Sequence, residues 1–161
     1  MKKTCSVILA ENYCSFNSTR GLFMKLPNVI RDFGIGNLLI GTDKQGELKI
    51  LKYILHKKEE LGAISITAVI ASEKNIINWS EEQRDLFFDL VTRCDKELLL
   101  APPIESLETF YKNLVMLDLA DIVILVGSDP NLEYIMKKND KHFLRFDSYK
   151  QCLIPDISLA H

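Results

Sequence analysis

Short apolar runs along the chain alternate with stretches in which apolar residues recur at helical spacing. Residues 5–10, 37–40, 64–71, 97–100 and 122–126 show almost no polar alternation, which predicts strands buried on both faces. Residues 46–61 place Leu48, Leu51, Ile54 and Leu55 on one helical face, and Gly62 marks the end. Ser80 and Gln83 have capping-box spacing for a helix turning Leu86, Phe87, Leu90 and Val91 inward. Ser106 predicts another cap, with Phe110, Leu114 and Leu117 facing the core. Residues 131–138 read as a short helix and 141–146 as the last strand. Between the first two strands, Pro27 suits the first turn of a short helix that Gly34 ends.

Alternation of strand and helix implies parallel pairing through right-handed crossovers. The expected fold is α/β: a Rossmann-like, doubly wound, mainly parallel sheet with helices on both faces. Residues 1–147 form one domain, without repeat, low-complexity segment or linker. The tail, 148–161, carries Leu153, Ile154, Ile157 and Leu159. It is expected to dock on the domain's own sheet or on another subunit, which leaves a homo-oligomer open.

Composition narrows the partners. The chain has 161 residues, 20 basic and 22 acidic side chains, and a net charge of −2. This balance gives no electrostatic case for nucleic acid or a membrane surface. The apolar run at the amino end is too short to span a membrane and Glu11 interrupts it, so no secretory signal is expected and a cytoplasmic location is. Cys5, Cys14, Cys94 and Cys152 lack any C-x-x-C spacing and are expected to stay reduced. His56, His142 and His161 are dispersed, so neither metal nor cofactor is assigned.

Ligands of open α/β sheets bind beyond the carboxyl ends of strands. The best candidate is the loop after the second strand, from Gly41 through Thr42 to Gly46 and Glu47. Its glycines allow close backbone approach to a phosphate, or serve only a tight turn. Glu47 is a candidate general acid/base or ribose-hydroxyl acceptor, or simply a favourable acid in a first helical turn. Glu11 and Asn12 follow the first strand, and Gly127 and Ser128 follow the fifth. Asp121 reads as a loop hydrogen-bonding residue, and Trp79 as packing beside a helix start or as a stacking surface for a base. No serine or cysteine shows a histidine partner, so nucleophilic catalysis has no positive support.

The segment from Lys112 and Asn113 through Met116, Leu117 and Asp118 to Ala120 and Asp121 resembles the R-N-x-x-M-V-D-x-S-D segment of the YpsA-like branch of the SLOG superfamily. Asn78, Trp79, Ser80, Glu81 and Glu82, followed by Asp85 and Asp95, are similar to that branch's tryptophan-plus-acidic-helix segment. Together with the order of elements from about 37 to 147, the resemblance covers most of the chain. It implies a Rossmann-like domain for nucleotides or nucleotide-derived ligands, with Lys112 and Asn113 as further contacts. Some relatives, the phosphoribohydrolases, cleave a nucleotide's N-glycosidic bond, and DprA-like relatives bind nucleic acid.

The sequence departs from the family where the ligand would sit. Ala10, Glu11, Asn12 and Tyr13 stand where T-G-H-R or T-G-Y-K is usual, the spacing from Gly41 to Glu47 is altered, and Ser128, Asp129, Pro130 and Asn131 replace glycines. The P-G-G-x-G-T-x-x-E motif is absent. Side chains in place of glycine block close backbone approach, and Pro130 removes a donor. The resulting expectation is a non-catalytic binder of a nucleotide-derived small molecule through an altered pocket. A nucleotide-hydrolysing enzyme using Glu47 and an interaction module without a ligand are the alternatives.

Overall fold

The computed structural model describes residues 2–10, 16–147 and 149–154. Its centre is a seven-stranded sheet in the order β4-β3-β2-β1-β5-β6-β7. The strands are β1 (Lys3–Leu9), β2 (Ile35–Gly41), β3 (Ser65–Ile70), β4 (Lys96–Leu99), β5 (Ile122–Val126), β6 (His142–Asp147) and β7 (Cys152–Ile154). All neighbours pair in parallel except β6 and β7, which are antiparallel. The fold is thus the expected α/β, Rossmann-like one. Among the described residues, no helix is long and apolar enough to cross a membrane.

Side-chain alternation divides each central strand between two layers. Cys5, Val7 and Leu9 of β1, with Leu38 and Ile40 of β2, pack toward α1 (Phe16–Asp32), α2 (Gln45–His56), α3 (Lys58–Leu61) and α4 (Glu81–Arg93). Ile8, Leu39, Val69, Val123 and Leu125 pack toward α5 (Glu108–Leu119) and α6 (Pro130–Lys138). The chain winds outward from β1 to β4, then crosses back to β5 on the other side of β1. Strand order therefore reverses between β1 and β5.

Three sequence expectations are corrected. Pro27 lies inside the 17-residue α1, not in the first turn of a short helix. Its ring removes the N–H that would reach Phe23, but the buried stripe of Leu22, Phe23, Leu26, Val29 and Ile30 holds the helix together across it. Gly34, at φ 66°, does close this segment. Ser106 is not a helix cap; it lies in a 3-10 turn (Glu105–Leu107), and Leu107 precedes α5 without a side-chain cap. The buried face of α5 is also rotated from the expected one. Phe110 is 42% exposed, while Lys112, Asn113, Met116 and Leu117 are buried.

Other local readings hold, except that β4 is an exposed edge strand and not buried on both faces, and the helix expected over 46–61 breaks at Lys57 into α2 and α3. Ser80 and Gln83 form a reciprocal capping box at α4. Asp129 caps α6 by accepting from the N–H groups of Asn131 and Leu132 at 3.1 Å each. The described part of the tail joins its own sheet as β7, while residues 155–161 lie outside the described residues. The Gly21 N–H donates to Gln151 Oε1 at 2.6 Å, and a Cβ on Gly21 would stand 2.8 Å from Gln151. Glycine at this position lets the β6–β7 connection sit directly on α1.

Candidate functional site

Gly41 ends β2 two residues after Leu39, so any side chain there would point toward α5. That space is filled instead by charged groups from elsewhere. A Cβ on Gly41 would lie 1.8 Å from Glu47 Oε2 and 2.6 Å from Lys112 Nζ. The glycine makes room for an ion cluster; its φ is not the reason.

Lys112 Nζ donates to Glu47 Oε2 at 2.7 Å and Oε1 at 2.9 Å, and also to Asp43 Oδ1. Thr109 Oγ1 donates to the other Asp43 oxygen at 2.9 Å, and the Lys44 N–H donates to Glu47 Oε1 at 3.1 Å. The side chains of Lys112, Asp43 and Glu47 are only 1%, 4% and 3% exposed. Beside them, Thr42 Oγ1 donates to the Val69 carbonyl at 3.0 Å, fixing the loop to β3.

Two carboxyls and one ammonium set the electrostatics. Burial pushes Glu47 well above the ordinary carboxylate range; Lys112 opposes this, and Asp43 reinforces it. Burial also works against ionisation of Asp43. There the hydrogen bond to Glu47, the Lys112 charge and the Lys112 and Thr109 hydrogen bonds win, holding it well below the ordinary range. Lys112 is likewise penalised by burial, yet the two acids raise it overall and keep it charged. Two buried carboxyls thus face one ammonium, with Glu47 pushed toward its protonated form and Asp43 toward its ionised form. Among the described residues no three His, Cys, Asp or Glu side chains converge on a metal position. Where Asp43 and Glu47 meet, Lys112 already supplies the cation.

Next to this sealed cluster is an open crevice of about 390 Å³ at the carboxyl end of the sheet. Ala10 after β1, Lys44 after β2 and Asp129 after β5 form its sheet side, and Thr109 and Asn113 of α5 line it opposite. Leu107 and Phe110, 49% and 42% exposed, add apolar surface, and Glu108 a further carboxylate. Lys44 Nζ lies 3.4 Å from the Leu9 carbonyl, so its charge is held beside the end of β1. The crevice sits where strand order reverses, the usual ligand position in such sheets. Thr109 belongs to both structures: it lines the crevice and holds Asp43.

The candidate residues fall into three groups. Gly41, Thr42, Glu47 and Lys112 do come together, but inside the protein and not on the crevice wall. Asn113 lines the crevice, while Gly46 is buried in the first turn of α2. Gly127, at φ 94°, and the exposed Ser128 lead from β5 into the loop that carries Asp129. Glu11 and Asn12 lie outside the described residues. Asp121 Oδ2 accepts from the Thr4 N–H at 2.8 Å, a structural role that ties β5 to β1. Trp79 meets Phe87 edge to face at 5.9 Å and packs on the core, as the packing reading expects. Cys5 is a free, buried thiol whose burial pushes it up to about 12, far from a reactive thiolate.

Sequence reasoning passed over Asp43, Lys44, Thr109 and Asp129. A signal existed for the first of these. Lys112 and Asn113 fall on the helical stripe continued by Met116 and Leu117, so a buried lysine required nearby acids. No protein-family model matches the chain, and no curated protein is similar to it in sequence.

Proposed function

We propose that the crevice between β1, β2 and β5 binds a nucleoside-like, nucleotide-derived small molecule, and that the chain is a binding domain, not a hydrolase. The observation that carries this reading is the crevice itself, about 390 Å³ at the point of strand-order reversal. Its lining suits a ligand with one flat apolar part and several polar groups. Phe110 and Leu107 offer the apolar surface, while Asn113 and Thr109 offer hydrogen-bonding groups. Lys44 is one cation beside two carboxylates, Glu108 and Asp129. That balance favours a nucleoside or its monophosphate over a polyphosphate. The similarity of the Lys112–Asn113 segment to the YpsA-like branch points to the same ligand class.

Against hydrolysis stands the burial of Glu47, which is 2% exposed with its oxygens already engaged. A general acid or base must reach the reacting atom directly or through one water. Glu47 therefore supports the wall of the site and not a reaction in it.

Calorimetric titration with adenosine, AMP and ADP-ribose tests this reading. Binding of at least one, weakened tenfold or more by Asn113→Ala in a folded protein, is the expected result. No heat from any of the three at millimolar concentration would remove the proposal, as would affinity untouched by Asn113→Ala.

A further inference from the structure

The ion cluster has a charge imbalance that its surroundings do not correct. From the β2–α2 loop, Asp43 faces Glu47 and Lys44 contributes only its backbone N–H. From α5, Lys112 faces both acids, and Thr109 adds a neutral hydroxyl to Asp43. Gly41 of β2 has no side chain to offer. The Lys44 ammonium points instead at the Leu9 carbonyl. Among the described residues, then, a single positive charge meets two carboxyls in a site from which water is excluded. Leaving both ionised would bury an uncompensated charge, which is costly; one proton removes it.

The same residues join two pieces of backbone that form the crevice wall. Asp43 immediately precedes Lys44, and Thr109 hangs from Asp43; both Lys44 and Thr109 line the crevice. We infer that Asp43, Glu47 and Lys112 form a one-proton latch: the proton held between the acids closes the Thr42–Gln45 loop on α5, and its loss at alkaline pH frees that loop and opens the crevice wall. The chemistry is a simple proton transfer from Glu47 to solvent. Afterwards two buried carboxylates share one ammonium and repel each other, and that repulsion works against keeping Asp43, with Thr109 hydrogen-bonded to it, packed on α5. The latch deepens the proposed binding reading by adding regulation to the same site, yet its test needs no ligand.

The test is amide hydrogen exchange on the full chain between pH 6.5 and 9.5, corrected for intrinsic exchange. Protection at residues 42–48 and 109–113 should fall by up to tenfold per pH unit once Glu47 ionises, while β5 stays protected. Glu47→Gln is neutral and close in shape to the protonated acid, so its protection should stay flat across that range. Identical profiles in wild type and Glu47→Gln would overturn the latch. Should Glu47→Gln fail to fold, carbon NMR of the Glu47 carboxyl in the wild-type protein decides instead. A protonated carboxyl at pH 6.5 supports the latch, and an ionised one ends it. Absence of AMP binding would count against the ligand reading alone, because neither measurement uses AMP.

Discussion

The two layers that cover the sheet are built on different principles. The layer of α1 to α4 has the larger apolar core, with Leu22, Leu48, Leu51, Ile54 and Leu90 at 0–1% exposure and few buried polar side chains, such as Thr19 of α1. The α5 and α6 layer has a smaller apolar core and buries polar groups beside it. Lys112 and Asn113 lie in α5, and Ser6 of β1 donates to the Met116 carbonyl at 2.6 Å. Hydrophobic burial is non-directional and holds the first layer together. Buried polar groups need specific partners, so the second layer fixes particular loops at particular places. The crevice lies at the end of the sheet where that second layer starts.

The sharpest way to break this contrast is to remove the cation. Lys112→Met should destabilise the fold by about 3–5 kcal/mol, because it leaves two buried acids without their cation. Chemical denaturation at pH 7 measures this, and part of the loss should return at acid pH as the acids take up protons. Leu51→Ala in the apolar layer should cost a similar amount, about 2–5 kcal/mol, through a cavity. Its cost should be the same at every pH, which is the difference that matters. Equal pH dependence in the two variants would erase the distinction between the layers.

Gly41→Ala should cost about 1–3 kcal/mol, since the new methyl collides with Glu47 and Lys112. Adding Glu47→Ala should recover part of that loss if steric conflict is its cause; a purely additive double variant would refute the explanation. Glu47→Gln has the smallest expected effect, within about 1 kcal/mol near neutral pH. Its consequence is in the pH profile. The folded value of Glu47 is raised, so its stabilising contribution is whole below the unfolded carboxyl value and is lost as pH rises through the folded one. Asp43 has the opposite sign: its lowered folded value gives stability above the unfolded value, lost as pH falls. Wild type should therefore weaken on both sides, by at most about 1.4 kcal/mol per pH unit for each proton, and Glu47→Gln only on the acid side. Stability curves from pH 3 to 9.5 check both signs.

Much of the architecture was legible because its signals are local. Apolar runs such as Ile122–Val126, the Ser80 and Gln83 capping pair, and Gly34 and Gly62 act within a few residues of themselves. Pro27 misled because its local preference for a first turn was overridden by the stripe packed on both sides of it. On α5 the hydrophobic pattern turned Phe110 inward, whereas the structure turns in Lys112. A lysine is an acceptable core residue only once Asp43 and Glu47 arrive from 65 or more positions earlier in the chain.

For the site, the sequence marked part of the chemistry: Gly41, Thr42 and Glu47 from the loop after the second strand, and Lys112 and Asn113 from the family resemblance, but not Asp43, Lys44, Thr109 or Asp129. Tertiary structure decided which of them face solvent. Whether a carboxyl is a ligand contact or a buried anchor depends on what fills the space above it, and here that space is set by a missing Cβ on β2 and an ammonium from α5. Periodicity can fix the face on which a residue lies, because it follows from backbone geometry. It cannot fix the partner across that face, because the partner comes from a distant segment brought there by the fold.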